Sequence, residues 1–296
     1  HIAERELRRG IAEHRASAGT VIILQPYTGE VLALANYPTF NPNAFRFSTN
    51  EVRRNRAIQD QYEPGSTFKI VTASAALEEK VIAPDDLVDV SEGMIHFGAR
   101  TIHDITNYGT LSFADVIVKS SNVGTILVGQ EVGADRLDGY TRRFGFGRRL
   151  SQDFSGEQRG LVWSPDDLNP SALASVSMGY QIAVTPLQMA VATSVIANGG
   201  NLIEPHVVKA LVANGRRVKM KREPPQRVVT RATATTVTSM MEDVVRRGTA
   251  RRAQIPGYTI AGKTGTAQKL VNKTYSKSLY TSSFIGFAPS RAPELT

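Results

Sequence analysis

The sequence predicts an α+β domain, an α/β mixture in which one mixed sheet closed by distant segments lies beside an all-helical region. Three observations carry this expectation. β-Rich runs stand near both ends, patterns of helical period fill the middle, and 296 residues with 41% hydrophobic content suffice for one large core. Residues 1–17 place Ile2, Leu7, Ile11 and His14 at helical spacing among charges and read as an amphipathic helix. Runs at 20–24 and 30–34 flank Pro26-Tyr27-Thr28-Gly29 and predict a β-hairpin. Residues 37–62, with Pro38, Asn41, Pro42 and Asn43 among many charges, read as an irregular excursion. Residues 66–80 predict a mostly buried helix from Phe68, Ile70, Val71, Ala73 and Leu77, and 111–130 and 134–144 predict further helices. The chain turns loop-like near Trp163, and 185–196 resumes as an apolar helix with Pro186 in its first turn. Residues 201–228 suggest a hairpin about Asn214-Gly215 with a basic arm, and 233–247 a helix ended by Gly248. Runs at 258–262 and 282–287 complete the pattern as strands, so segments distant in the chain are expected to close one sheet.

No segment approaches the roughly 18 consecutive apolar residues of a membrane span. The opening His1-Ile2-Ala3-Glu4-Arg5 has no signal-peptide stretch, so any anchor is expected outside this sequence. The lack of cysteine excludes disulfides, thiolate nucleophiles and thiolate metal sites. The formal net charge is +8, with arginines grouped at 53–56, 142–149 and 246–252. A basic surface attracts anionic partners. No aromatic residues alternate with these arginines as a base-stacking platform requires, so nucleic acid is not an expected partner.

Three short motifs follow one another: Ser66-Thr67-Phe68-Lys69, Ser120-Ser121-Asn122 and Lys263-Thr264-Gly265-Thr266. Each alone is a weak signal; their order and context give them weight. Ser66 follows Pro64-Gly65 and opens an apolar helix, where outward N–H groups and the helix dipole favour negative charge. Such an end can stabilise an oxyanion during acyl transfer. Alone, Ser66 would be an ordinary N-cap serine. Lys69 lies three residues on, on the same helix face, within reach of the Ser66 oxygen. A lysine acts as a base only when neutral, and burial or a second cation lowers its pKa. Lys263, at the edge of a strand, is the candidate for that cation. Gly262 and Gly265 would let a ligand backbone lie close to this edge. Thr264 and Thr266 offer hydroxyls and N–H groups to a carboxylate. Asn122 can bind a peptide amide through both donor and acceptor, and Ser120 can relay a proton between lysines, although Ser and Asn also simply cap helices.

The first and last motifs match the S-x-x-K and K-T-G of β-lactamases and penicillin-binding proteins, and the middle one departs from S-D-N only at its central residue. Longer strings, among them Tyr62-Glu63-Pro64-Gly65-Ser66, Lys119-Ser120-Ser121-Asn122-Val123-Gly124, Met178-Gly179-Tyr180-Gln181 and Ala261-Gly262-Lys263-Thr264-Gly265-Thr266-Ala267-Gln268, resemble class B penicillin-binding proteins. These are the monofunctional peptidoglycan D,D-transpeptidases, and the resemblance spans nearly the whole chain. The Tyr-Glu-Pro-Gly string and Tyr280-Thr281-Ser282-Ser283-Phe284 are closer to division or sporulation types. The resemblance implies a β-lactamase/transpeptidase-like fold, an antiparallel sheet flanked by helices plus an all-helical region, with residues 1–296 as one transpeptidase domain. It implies that Ser66 attacks the penultimate D-Ala carbonyl of a stem peptide and releases the terminal D-Ala. Lys69 would be general base, with Ser120 and Lys263 completing the relay and the N–H groups of Ser66 and Thr266 forming the oxyanion hole. Thr264, Gly265 and Thr266 would line the carboxylate end of the substrate site, and Asn122 would hold the substrate amide. Implied partners are stem peptides on the lipid-linked precursor and nascent glycan, β-lactam antibiotics, and glycosyltransferase and divisome membrane proteins. No metal or organic cofactor is implied. The implied location is the extracytoplasmic side of the bacterial cell membrane. The family's membrane helix and pedestal, and its final strand and closing helix, are expected to lie outside this sequence. Without that strand the sheet would be split and its edges unpaired.

Rival readings differ in the acyl acceptor. A serine β-lactamase must activate water, and one class does so with a Glu-x-x-Leu-Asn loop. Here Pro165-Asp166-Asp167-Leu168-Asn169 puts proline at the glutamate position. A D,D-carboxypeptidase also uses water. A non-catalytic β-lactam sensor or division scaffold fits poorly with intact Lys69 and Lys263.

Overall fold

The computed structural model describes residues 1–272 and 274–296. Helix α1 (Ile2–His14) ends on Arg15 in the left-handed region and buries Ala3 and Ile11. It packs on an antiparallel hairpin of β1 (Gly19–Leu24) and β2 (Val31–Tyr37), which pair from Gly19↔Tyr37 to Leu24↔Val31. The excursion that follows holds two single-turn helices, α2 (Asn50–Arg53) and α3 (Arg56–Gln59). Asn36 ties it to the hairpin, donating to Asn55 Oδ1 (3.0 Å) and accepting from the Ala57 N–H (3.1 Å).

Helix α4 (Lys69–Glu78) has no solvent face: Ile70, Val71, Ala73, Ala75 and Ala76 are all buried. This explains its apolar sequence on every side, the signature of an internal helix. Two small antiparallel ladders follow, β3 (Leu87–Asp89) with β6 (Thr110–Ser112) and β4 (Met94–Phe97) with β5 (Arg100–His103). The region expected as helix over 111–130 is divided. α5 (Phe113–Lys119) and α6 (Asn122–Val132) meet at Ser120, whose φ of 58° caps the first helix. α7 (Ala134–Arg143) and α8 (Pro170–Ser177) complete the helical region beside α4 and α6.

Helix α9 (Pro186–Ala197) opens with a capping box, Thr185 and Gln188 each bonding the other's backbone N–H. It touches both β1 and the C-terminal hairpin. β7 (Asn201–Leu202) pairs with β10 (Gln226–Arg227), and the hairpin expected about Asn214-Gly215 forms from β8 (Ala210–Ala213) and β9 (Arg216–Lys219). After α10 (Arg231–Arg247), β11 (Ala261–Val271) and β12 (Thr274–Phe287) form a long antiparallel hairpin. It exceeds the expected strands: residues 258–260 lie outside β11, and β12 starts eight residues before 282, reckoned from its first residue Thr274.

Among the described residues the strands form antiparallel two-stranded ladders, and β1–β2 is not hydrogen-bonded to β11–β12. The last residues run between the two hairpins. Leu295 bridges Ala288 after β12, while Leu24 of β1 and Thr296 exchange backbone bonds of 2.9 and 3.0 Å. One apolar cluster nevertheless runs from Leu24 through α4, α5, α9 and α10 to Ile285 and Phe287.

Candidate active site

The segment before Ser66 is held from below. Tyr62 and Val184 exchange backbone bonds of 3.0 Å, and the Gly65 N–H donates to Gly179 O at 3.0 Å. Gly179 has a φ of 84°, and a Cβ there would stand 2.2 Å from Gly65 O, so only glycine admits this approach. Gly65-Ser66-Thr67 form a 3-10 turn, tightened by the Thr67 hydroxyl donating to Pro64 O at 2.8 Å. Ser66 thus stands on a turn one residue removed from α4, at its N-terminal end, as the sequence suggested. Phe68 fixes the other side, its buried ring centroid 5.5 Å from that of Phe146.

Lys69 is fully buried. Its amine donates to Ser120 O (2.8 Å), Ser121 O (3.1 Å) and Asn122 Oδ1 (2.9 Å). The expected bond from Lys69 to Ser66 is not formed, and among the described residues the Ser66 hydroxyl makes no side-chain hydrogen bond. The turn's carbonyls compete for the amine because Ser120 takes the left-handed conformation, which points successive carbonyls at Lys69.

Lys263, also fully buried, reaches the same turn from β11 and donates to Ser120 Oγ (2.9 Å) and Thr264 O (3.0 Å). The Ser120 hydroxyl therefore stands between two amines, 3.5 Å from Lys69 Nζ and 2.9 Å from Lys263 Nζ. Burial holds Lys69 well below the usual lysine range; the Lys263 charge pushes the same way and the Asp104 carboxylate opposes it. Burial alone brings Lys263 down to about 7. Burial thus favours the neutral form of both amines, the form in which a lysine can accept a proton.

On β11, Lys263, Gly265 and Ala267 are buried, while Thr264 is half-buried and Thr266 exposed. The two glycines also admit close approach within the protein itself. A Cβ at Gly265 would lie 2.9 Å from both Pro64 O and Thr67 Cγ2, and one at Gly262 would lie 2.5 Å from the Phe284 ring. Their lack of a side chain lets the nucleophile turn and the neighbouring strand lie close to β11. Thr266 also adjoins that turn, its carbonyl O 3.5 Å from the Cβ position of Gly65. Lys69, Ser120, Asn122 and Lys263 are thus joined by hydrogen bonds at one turn, with Ser66 three residues before Lys69 and Thr264, Gly265 and Thr266 following Lys263 on β11.

Two contributors stand outside the three short motifs. Thr249 Oγ1 stands 2.7 Å from Thr264 Oγ1, brought there by the turn after α10, where a Cβ at Gly248 would meet Val118 O at 2.5 Å. Glu63, three residues before Ser66, accepts from Tyr275 Oη (2.9 Å) and the Gln181 N–H (2.7 Å), tying the β11–β12 hairpin to the nucleophile turn.

The sequence profile of the family described as "Penicillin binding protein transpeptidase domain" matches residues 19–296. The chain is 32% identical to "Stage V sporulation protein D" of Bacillus subtilis, over 99% of this chain and 46% of that protein. It is 34% identical to "Probable peptidoglycan D,D-transpeptidase PbpC" of Pseudomonas aeruginosa, over 99% of this chain and 51% of that protein. The chain spans about half the length of the curated relatives it matches. Among solved structures, penicillin-binding protein 3 from Mycobacterium tuberculosis complexed with ampicillin superposes with a TM-score of 0.94 at 36% identity, covering 99% of this chain and 68% of that one. On this match, and on the fold it shares, the chain belongs to the penicillin-binding protein transpeptidase domain family.

Proposed function

We propose that this domain is a serine D,D-transpeptidase that cross-links peptidoglycan stem peptides and is acylated by β-lactams. The observation that carries the proposal is the Ser120 hydroxyl set between two buried amines, one of them three residues after the half-buried Ser66. Neutral Lys69 takes the proton of Ser66 Oγ as that oxygen adds to the penultimate D-Ala carbonyl. The Ser66 and Thr266 N–H groups receive the oxyanion. As the C–N bond breaks, the leaving D-Ala amine takes a proton delivered through Ser120 and the lysines. The acyl-serine ester is then attacked by an amine of a second stem peptide, which surrenders its proton to the relay, and Ser66 is released. Asn122 holds the substrate amide, while Thr264 and Thr266, with Gly265 between them, line the carboxylate end. A β-lactam follows the first half of this course by ring opening, and its leaving amine remains tethered in the site.

Such a substrate lies on the extracytoplasmic side of the bacterial cell membrane, where we place the domain. Glycosyltransferase and divisome membrane proteins are its proposed partners, a reading supported by the strings that resemble division or sporulation types. The test is to supply a D-Ala-D-Ala stem peptide with an amine acceptor and to follow D-Ala release and the cross-linked product by mass. Transfer to the amine is expected. Release of D-Ala into the hydrolysed product alone would make the domain a carboxypeptidase.

A further inference from the structure

Asp104 follows β5 and is tied there by its own N–H, which donates to Gly93 O at 2.9 Å. Its carboxylate meets the far side of the 120–122 turn. Oδ2 accepts from the Ser121 hydroxyl at 2.6 Å, and Oδ1 accepts from the N–H groups of Asn122 and Val123, the latter at 3.1 Å. These N–H groups open α6, where no intrahelical partner exists and where the dipole favours an anion. Beside it, His103 O accepts from Asn122 Nδ2 at 3.1 Å, which fixes the Asn122 amide with its oxygen toward Lys69. The turn is therefore polarised: its donors face Asp104 and His103, and its acceptors face the Lys69 amine.

We propose that Asp104 is a positioning residue for acyl transfer: from behind the turn it holds the Ser120 hydroxyl and the Asn122 amide in place, and its carboxylate offsets the Lys263 charge at Lys69. The inference rests on the transpeptidase reading of the site. Ser120 needs such a hold because its left-handed backbone is one that residues other than glycine seldom adopt. The ionisable groups packed about the turn are Lys69 of α4, Lys263 of β11, Asp104 after β5 and Tyr108 before β6, with His103 exposed beside them. Across the turn from Lys69, the Asp104 carboxylate opposes the Lys263 charge in its effect on that amine.

The sign of the effect follows. Removing the Asp104 charge makes the Lys69 ammonium less favourable, so the amine is freed at lower pH. The test measures the acylation rate by a fluorescent penicillin against pH, with Asp104→Asn, Asp104→Ser, Asp104→Glu and Ser121→Ala beside the parent. The two neutral variants are expected to move the acid limb down by about 0.5–1 pH unit, and Asp104→Glu to keep it. Ser121→Ala keeps the charge, and its limb is expected to stay while the plateau rate falls by roughly tenfold. A neutral variant that folds and shows the parent's limb would overturn the proposal. So would an undiminished plateau in Ser121→Ala, which tests the positioning even if both neutral variants fail to fold. A parent protein that is not acylated at all would instead remove the transpeptidase reading.

Discussion

A lysine held at about 7 inside a protein is a side chain whose charge the fold has made expensive, and Lys263 is in that position. The consequence for stability has a definite sign. Between about pH 7 and the ordinary lysine range the unfolded chain binds more protons at this group than the native one, so stability rises with pH. Lys69, depressed by its burial, contributes in the same direction. Each unit of separation is worth about 1.4 kcal/mol of linkage. Lys263→Met is therefore expected to flatten the rise of the thermal midpoint between about pH 7 and 9.5, a window that ends below the ordinary tyrosine pKa. Midpoints measured across that window check it, and an unchanged slope would mean that Lys263 is not strongly depressed. The lysines and Ser120 were legible because their chemistry is written in short strings. Thr249 and Asp104 were not, since each is one ordinary residue whose partner lies many positions away and arrives only with the tertiary fold.

At the scale of elements, the nucleophile turn depends on the segment at Met178-Gly179-Tyr180 beneath it. Alanine at Gly179 would add a Cβ 2.2 Å from Gly65 O in a left-handed backbone, so the turn must rise or the lower segment must fall. The backbone conformation alone costs about 1–2 kcal/mol in a residue other than glycine. Gly179→Ala is expected to lower the thermal midpoint and to cut the penicillin acylation rate at least about tenfold. A variant with parental acylation would show that Gly65 and Ser66 do not move with Gly179.

Helical periodicity identified α4, α9 and α10 well because each presents a continuous apolar surface to the core. It merged α5 with α6, since the left-handed Ser120 that separates them does not interrupt the apolar pattern on either side. Ser121 was the available signal: its side chain accepts from the Gly124 N–H, as an N-cap does. The outer half of the β11–β12 hairpin escaped notice for a different reason. Its residues at 276–280 are nearly all exposed, so no alternation of buried and exposed positions marks the strand. The ladders of β3 to β6 are three or four residues long, too short for period two to register.

Over the whole molecule, the two hairpins and the helical region share one apolar cluster, although their strands form separate ladders. α9 lies against both β1 and β12, so neither hairpin can leave without uncovering that helix. A single unfolding transition is expected, with far-ultraviolet and near-ultraviolet circular dichroism coinciding. Two separated transitions would show that the hairpins and helices unfold as independent units. The arrangement also explains how residues nearly two hundred positions apart share one site: α4 runs through the middle of the core and β11 lies against its N-terminal turn. The sequence pattern supplied the order of the elements and the resemblance their fold. The close fit of Gly265 against Pro64 and Thr67 belongs to tertiary packing and is visible only in the structure.

The most direct measurement is the intact mass of the protein after exposure to benzylpenicillin, followed by mapping of the modified peptide. One adduct is predicted, on the peptide carrying Ser66, and Ser66→Ala is predicted to fold and to take up none. An adduct on any other residue, or an unmodified mass from protein shown to be folded, would contradict the assignment of Ser66 as the acylated nucleophile.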